Sequence, residues 1–115
     1  MIDHLIFHGL ERTSTDERHR HRYEVNPEYI EKLQDAGLHF IGKDDLGERM
    51  EIVELKEHPW FVGVQFHPEY ISRVLAPSKP FLGFVSTAAG CFDQVKSMSQ
   101  QNEMDLANGV ANIIV

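Results

Sequence analysis

The chain has 115 residues, the size of one ordinary globular domain with a single hydrophobic core. Apolar residues make up 42% of it and charged residues 25%, so neither wholesale disorder nor residence in a membrane is indicated. The net charge of -7 disfavours general binding to nucleic acid or to acidic membranes. The single cysteine cannot form an internal disulfide, and the first residues lack a signal-peptide pattern. We therefore expect a cytoplasmic protein.

The beginning of the chain gives a weak structural signal. Residues 1 to 17 show no sustained hydrophobic period. From Arg18 to Arg22, arginine and histidine alternate. An extended backbone would therefore place the three arginines on one face and His19 and His21 on the other.

A helix and a hairpin are predicted next. Asn26 is a favourable N-cap, Pro27 suits the first helical position, and Gly37 is placed to end the helix. The segments Leu38–Ile41 and Met50–Leu55 predict the two strands of a hairpin, with a turn-forming Asp-Asp-Leu-Gly sequence between them.

The second half predicts a buried strand, a helix and a tail. The nearly continuous apolar run from Trp60 to Phe66 predicts a strand buried on both faces. Pro80 and Gly90 mark the start and the end of a short helix. The polar stretch from Gln94 to Asn108 is expected to be a loosely held tail.

The most informative chemical feature is the pair His67 and Glu69 at the end of the predicted buried strand. Pro68 biases His67 toward extended geometry, in which residues two apart share a face. A carboxylate bonded to one ring nitrogen fixes the tautomer and leaves the other nitrogen free to take a proton from a nucleophile. The pair therefore indicates half of a catalytic triad. The competing interpretation is a polar strand end that caps a turn.

The run from Arg18 to Arg22 allows three interpretations: a nucleic-acid patch, a metal site, or a solvated strand edge. His19 and His21 supply only two ligands, whereas structural zinc sites have four and catalytic ones three. The run lacks interleaved aromatic residues and belongs to an acidic chain, which disfavours nucleic-acid binding. We expect Arg22 to contact a ligand and the rest of the run to pack between domains or to be solvated.

Three blocks together resemble the C-terminal part of the glutamine amidotransferase domain of CTP synthase, in its eukaryotic form. They are ERHRHRYEVNP at residues 17–27, GERMEIVEL at 47–55 and HPWFVGVQFHPE at 58–69. The resemblance divides the chain into a divergent segment (1–16), a partial amidotransferase domain (17–91) and a polar tail (92–115).

The resemblance implies an α/β fold, the flavodoxin-like fold of class I glutamine amidotransferases. Its central sheet is mostly parallel, and this chain would supply the last strands, an antiparallel hairpin and two short helices. His67 would then lie outside the carboxyl ends of the strands, where such sheets bind ligands.

The resemblance also implies a chemistry. In that family a cysteine attacks the side-chain amide of glutamine, and the ammonia travels to a separate synthetase domain that converts UTP to CTP with ATP and magnesium. His67 would be the general base and acid, Glu69 its orienting partner, and Arg22 would bind the carboxylate of L-glutamine bidentately. No cofactor or metal is expected in this chain itself, because ATP and Mg²⁺ belong to the synthetase domain.

The sequence departs from the family at the nucleophile. The cysteine elbow and the synthetase domain of the family lie upstream of the arginine-histidine run, and residues 1–16 do not resemble them. Cys91 is a poor replacement, because it follows His67 and lies at a predicted helix end with no base or helix N-terminus nearby to activate it. We therefore expect the chain alone to lack glutaminase and CTP-forming activity.

Two alternatives remain open at this point. The chain could be a non-catalytic interaction module that self-associates or associates with full-length CTP synthase. It could also be a truncated product that folds poorly and exposes an apolar strand edge.

Overall fold

The computed structural model describes residues 2–7 and 10–107, with side chains described for residues 16–102 and 104. The described residues form five strands and three α-helices. In spatial order the strands are β2, β1, β3, β4 and β5, and each neighbouring pair is antiparallel. The strands are β1 (Ile2–Phe7), β2 (Leu10–Thr15), β3 (Leu38–Asp44), β4 (Met50–Leu55) and β5 (Val62–Val64). The helices are α1 (Pro27–Asp35), α2 (Lys79–Ala88) and α3 (Phe92–Ala107).

Helix α1 begins and ends where its sequence predicts. The side-chain oxygen of Asn26 accepts a hydrogen bond from the N–H of Glu28 at 3.0 Å, and Pro27 occupies the first helical position. Gly37 has a φ of +96°, a conformation that glycine adopts without a steric penalty, and the chain leaves the helix there. The prediction for this helix is confirmed.

The predicted hairpin is also confirmed, and Asp44 closes its turn. Strands β3 and β4 pair directly, with Phe40 opposite Val53. One carboxylate oxygen of Asp44 accepts hydrogen bonds from the N–H groups of Glu48 and Arg49, at 2.9 and 3.0 Å. The bond from the Arg49 N–H is the main cause that lowers the pKa of Asp44, and burial partly opposes it. An ionised carboxylate therefore holds this turn.

The segment before the arginine-histidine run forms two strands for which the sequence gives no signal. In β1 and β2, Ile2 lies opposite Thr15, and β1 also pairs with β3, where Ile2 lies opposite Asp44. Strand pairing depends strongly on neighbouring strands, so tertiary context decides the structure where the local pattern is weak.

The predicted strand over Trp60–Phe66 is wrong in its length and in its burial. Strand β5 contains only Val62–Val64, its residues are partly exposed, and among the described strands it pairs with β4 alone. The two aromatic ends of the run are the buried part, because Trp60 and Phe66 are only 9% and 4% exposed. The apolar character of the run therefore reflects the burial of these two rings in the core. It does not indicate a strand at the centre of the sheet.

The core joins the sheet to the helices. Ile52 of β4 clusters with Trp60 and Phe66, and the ring of Phe92 lies 5.5 Å from that of Trp60. Helix α2 lies where Pro80 and Gly90 predict it.

Helix α3 replaces the loosely held tail that the sequence predicts. It spans Phe92–Ala107. The segment contains neither proline nor glycine and is rich in helix-forming residues, so propensity is the signal that could have identified it. Within the described ranges, no helix has the length and apolar character needed to cross a membrane.

Candidate functional site

His67 and Glu69 lie together immediately after β5. Nδ1 of His67 is 2.9 Å from Oε1 of Glu69. The sequence predicts that this contact is made across the face of an extended strand. The structure instead places Glu69 in the 3-10 turn Pro68–Tyr70. An ionised carboxylate only accepts hydrogen bonds, so Nδ1 donates. The neutral ring therefore carries its lone pair at Nε2.

Glu69 is kept ionised by its surroundings. A hydrogen bond from its own backbone N–H is the main cause that lowers the pKa of Glu69, and desolvation opposes this. The hydrogen bond to His67 lowers this pKa further, as do the charges of His67 and Arg20. Glu69 is therefore in the state that orients an imidazole ring.

The imidazole of His67 is held from several sides. Its backbone N–H donates to the carbonyl of Arg18 at 2.9 Å, and the ring of Tyr70 meets it edge-on with the centroids 6.0 Å apart. Nε2 is inaccessible to solvent and has no hydrogen-bond partner in the part of the chain that the structure describes. Its lone pair is thus available to a proton donor that can reach it.

The two histidines of the arginine-histidine run connect the sheet to this site. Nδ1 of His19 lies 3.1 Å from Glu51, a buried carboxylate of β4, and its Nε2 lies 3.2 Å from the carbonyl oxygen of His21. The ring of His21 stacks on that of His67, with centroids 5.1 Å apart and planes 9° apart. The two rings of the run are 6.0 Å apart, although the run itself belongs to no strand.

Arg22 is exposed and borders an open depression beside the site. Arg49 also lines this depression, and its Nε pairs with Glu24 at 3.0 Å. Two guanidinium groups and one carboxylate therefore border a space that suits a ligand with both charges. The depression has a volume of about 230 Å³ and is lined by His19, His21, Arg22, Tyr23, Glu24 and Arg49.

A metal site through His19 and His21 finds no support. In residues 16–102 and at position 104, no group of three or more histidine, cysteine or carboxylate side chains could hold a metal ion. Both ring nitrogens of His19 already face protein oxygens.

Cys91 lies at the start of a helix. Its carbonyl accepts a hydrogen bond from the N–H of Val95 at 3.2 Å, and α3 begins at the next residue. The expectation that no helix N-terminus lies near Cys91 is therefore wrong, because the sequence analysis missed α3. The contacts described for His67 involve Arg18, His21, Glu69 and Tyr70, and not Cys91.

Sequence reasoning missed Glu51 and the stacking partner of His67. A carboxylate inside the apolar strand Met50–Leu55 is a local sign of a buried polar contact. Its partner His19 is 32 residues away, and His21 and His67 are equally remote, so no local pattern could join them.

Residues 2–87 match the family model described as glutamine amidotransferase class-I. The chain belongs to the class I glutamine amidotransferase family, and the α/β fold class predicted from the resemblance is confirmed.

Within this family, the chain is similar to CTP synthases. It is 65% identical over 102 residues to CTP synthase of Neurospora crassa, which covers 89% of this chain and 17% of that protein. It is 58% identical over 79 residues to CTP synthase 1 of Saccharomyces cerevisiae, which covers 69% of this chain and 14% of that protein. The chain thus spans only a small part of the length of these relatives.

A solved structure gives the same result. The glutaminase domain of Trypanosoma brucei CTPS, with bound acivicin, matches with a TM-score of 0.61 at 45% identity. The match covers 64% of this chain and 30% of that structure. The resemblance to the glutaminase region of CTP synthase is therefore confirmed by sequence and by structure.

Proposed function

We propose that this chain carries the acid–base half of a glutaminase site of the CTP synthase type, with L-glutamine as its substrate. The observation that carries the proposal is the hydrogen bonding of the two ring nitrogens of His67. Glu69 holds Nδ1 of His67 at 2.9 Å, while Nε2 has no partner in the described part of the chain. A general base needs this division between an oriented nitrogen and an uncommitted one.

In the proposed reaction, Nε2 of His67 takes the proton of a cysteine thiol, and the thiolate attacks the side-chain amide carbon of glutamine. His67 then gives that proton to the leaving nitrogen, which departs as ammonia and leaves a glutamyl thioester. Water hydrolyses the thioester, with His67 again taking a proton. Glu69 stabilises the imidazolium at each of these steps.

The nucleophile in this proposal comes from a segment other than the described residues. The contacts described for His67 do not include Cys91, the one cysteine of the sequence. Because Nε2 is covered, the segment that brings the thiol must displace what lies over this atom.

Arg22 is the proposed contact for the substrate carboxylate. Its guanidinium borders the depression next to His21, whose ring stacks on His67. A planar guanidinium can donate two parallel hydrogen bonds to a carboxylate, which fixes the orientation of the amino acid as well as its position.

A chimeric enzyme tests this proposal. The 102 matched residues of the N. crassa CTP synthase are replaced by those of this chain, and CTP formation is measured with glutamine or with free ammonia. We expect activity with both nitrogen sources. His67→Ala should lower the glutamine-dependent rate at least about 100-fold and leave the ammonia-dependent rate unchanged.

A matched control separates this effect from general damage. His39 lies on β3 and takes no part in the contacts described for His67, so His39→Ala should preserve both rates. Retention of the glutamine-dependent rate in the His67→Ala chimera would refute the proposed role. The 115-residue chain alone should release no ammonia from glutamine, and release that His67→Ala abolishes would overturn the assignment of the nucleophile.

One observation favours a second candidate function, a non-catalytic module that binds itself or full-length CTP synthase. Among the described strands, β5 pairs only with β4, so its other edge can accept a strand. Co-purification of the chain with the full-length enzyme, lost when Val62, whose N–H points away from β4, is changed to Pro, would support this function. Failure to associate at micromolar concentration would exclude it.

A further inference from the structure

We propose that His21 is a positioning residue for His67, and that His19 and Glu51 hold it in place. This inference rests on the proposed function, because it concerns the orientation of the same general base. It adds three side chains that the acid–base pair itself does not require.

One hydrogen bond does not fix an imidazole ring. The bond between Nδ1 and Glu69 holds one atom of His67, and the ring can still rock about that contact. The ring of His21 covers one face, almost parallel at 9°, and the ring of Tyr70 meets it edge-on at 80°. Such stacked and edge-on contacts are favourable arrangements for flat rings, and together they restrict the tilt of the imidazole.

His21 is itself held from the sheet. Its carbonyl oxygen lies 3.2 Å from Nε2 of His19, and Nδ1 of His19 lies 3.1 Å from the carboxylate of Glu51. Glu51 is only 3% exposed, and its backbone carbonyl accepts the N–H of Gln65 at 2.9 Å. The contacts therefore run without a break from strand β4 to the face of the catalytic ring.

His19 lies between two protein oxygens. Its Nδ1 faces the carboxylate of Glu51, and its Nε2 faces the carbonyl of His21. Arg49 approaches the same carboxylate at 3.4 Å. Glu51 thus holds the side chains of His19 and Arg49 against the sheet, and His19 in turn contacts the backbone of His21.

The backbone of the run is fixed on both sides of His21. Before it, the carbonyl of Arg18 accepts the N–H of His67 at 2.9 Å. After it, the carbonyl of Tyr23 accepts the side-chain N–H of Gln65 at 2.6 Å. Because the backbone is bonded to the segment of His67 on both sides of His21, the ring of His21 can move little from the ring of His67.

Nuclear magnetic resonance of the full 115-residue chain tests the positioning directly, through the imidazole nitrogen and carbon signals of His67. We expect wild type to show the single tautomer with Nδ1 protonated. His21→Ala should loosen the bond between His67 and Glu69 and so bring mixed tautomers, while His21→Phe, which keeps a flat ring, should preserve the single tautomer. His39→Ala is the control, and the amide spectrum verifies that each variant is folded.

The chimeric enzyme gives the functional readout. His21→Ala should lower kcat with glutamine about tenfold and change KM less than twofold, because a misaligned base slows the chemistry while Arg22 still binds substrate. His21→Phe should restore most of kcat. An equal loss of kcat in His21→Ala and His21→Phe would contradict the proposal that a flat ring at position 21 positions His67.

The two arms separate this inference from the function on which it rests. A His67 ring that keeps its single tautomer in His21→Ala overturns the positioning role, whatever the enzyme activity. A chimera without glutamine-dependent activity overturns the proposed function, and the resonance experiment then still decides whether His21 orients His67.

Discussion

Gly83 of helix α2 lies directly against the indole ring of Trp60. A Cβ atom at position 83 would overlap the six-membered part of the ring. Trp60 also touches Phe92 at the start of α3, so one aromatic residue joins both C-terminal helices to the core that includes Ile52. The absence of a side chain at position 83 is therefore a packing requirement of this fold.

The first prediction concerns this contact. Gly83→Ala should destabilise the chain by about 1–3 kcal/mol, because overpacking against a buried ring forces the indole or the helix to move. Urea unfolding followed by far-ultraviolet circular dichroism measures the change, a signal that does not depend on the single tryptophan. The gain in helix propensity from glycine to alanine, about 1 kcal/mol, opposes this effect and is included in the range.

Two further variants make the prediction specific. Val85→Ala on the same helix removes an exposed side chain and should change stability by less than about 0.5 kcal/mol. In a Trp60→Leu background, the cost of Gly83→Ala should be smaller, because the colliding ring is gone. An equal cost in both backgrounds would show that the glycine serves another purpose.

The parts of the fold that sequence predicts are those with local chemical causes. Asn26, Pro27 and Gly37 act within a few residues of themselves, so α1 can be bounded from the sequence. The hairpin follows from its turn in the same way. Caps and turns of this kind depend on residues that are close in sequence, so they can be predicted without knowledge of the tertiary fold.

The errors of prediction arise where contacts between residues distant in sequence determine the structure. The apolar run Trp60–Phe66 predicts a central strand, but the run cannot show that β5 has one described neighbour and that the two aromatic ends enter the core. Helix α3 has little apolar periodicity to detect. The contact of His67 with Glu69 could be predicted because it spans two residues. The stacking of His21 could not, because it joins separate segments of the chain.

The second prediction concerns the turn of the hairpin. Asp44→Ala should destabilise the chain by about 1–3 kcal/mol at pH 7, because two backbone N–H groups lose an ionised acceptor. The folded-state pKa of Asp44 is below its ordinary value of 3.8, so its stabilisation is present above pH 3.8 and is lost as the pH falls through the lowered value.

Unfolding measured across pH verifies this sign. The stability difference between wild type and Asp44→Ala should be constant from pH 7 to pH 5 and should shrink below pH 3.8. Asp45→Ala is the matched control, because this neighbour is exposed, and it should cost less than about 0.5 kcal/mol. A difference that stays constant down to pH 2 would contradict the role assigned to the Asp44 carboxylate.

The third prediction compares a buried polar contact with a partly exposed ion pair. A double-mutant cycle of His19→Ala and Glu51→Ala should give a coupling energy of about 1–2 kcal/mol, because Glu51 is buried. The cycle of Arg49→Ala and Glu24→Ala should give less than about 1 kcal/mol. That pair has a similar distance, 3.0 Å, but is partly solvated. Urea unfolding at pH 6 supplies the free energies, and equal coupling in both cycles would refute the difference.

The last prediction concerns the substrate contact. Arg22→Lys in the chimeric enzyme should raise KM for glutamine about tenfold and leave kcat within about twofold, because a single ammonium replaces a bidentate guanidinium in ground-state binding. Arg18→Lys is the matched control. The Arg18 guanidinium lies over the ring of Tyr70, 5.9 Å from its centroid, and is not part of the depression that Arg22 borders. Initial rates at varied glutamine, with free ammonia as the reference nitrogen source, separate binding from folding defects. A fall in kcat with unchanged KM would place Arg22 in the chemical step and not in recognition of the carboxylate.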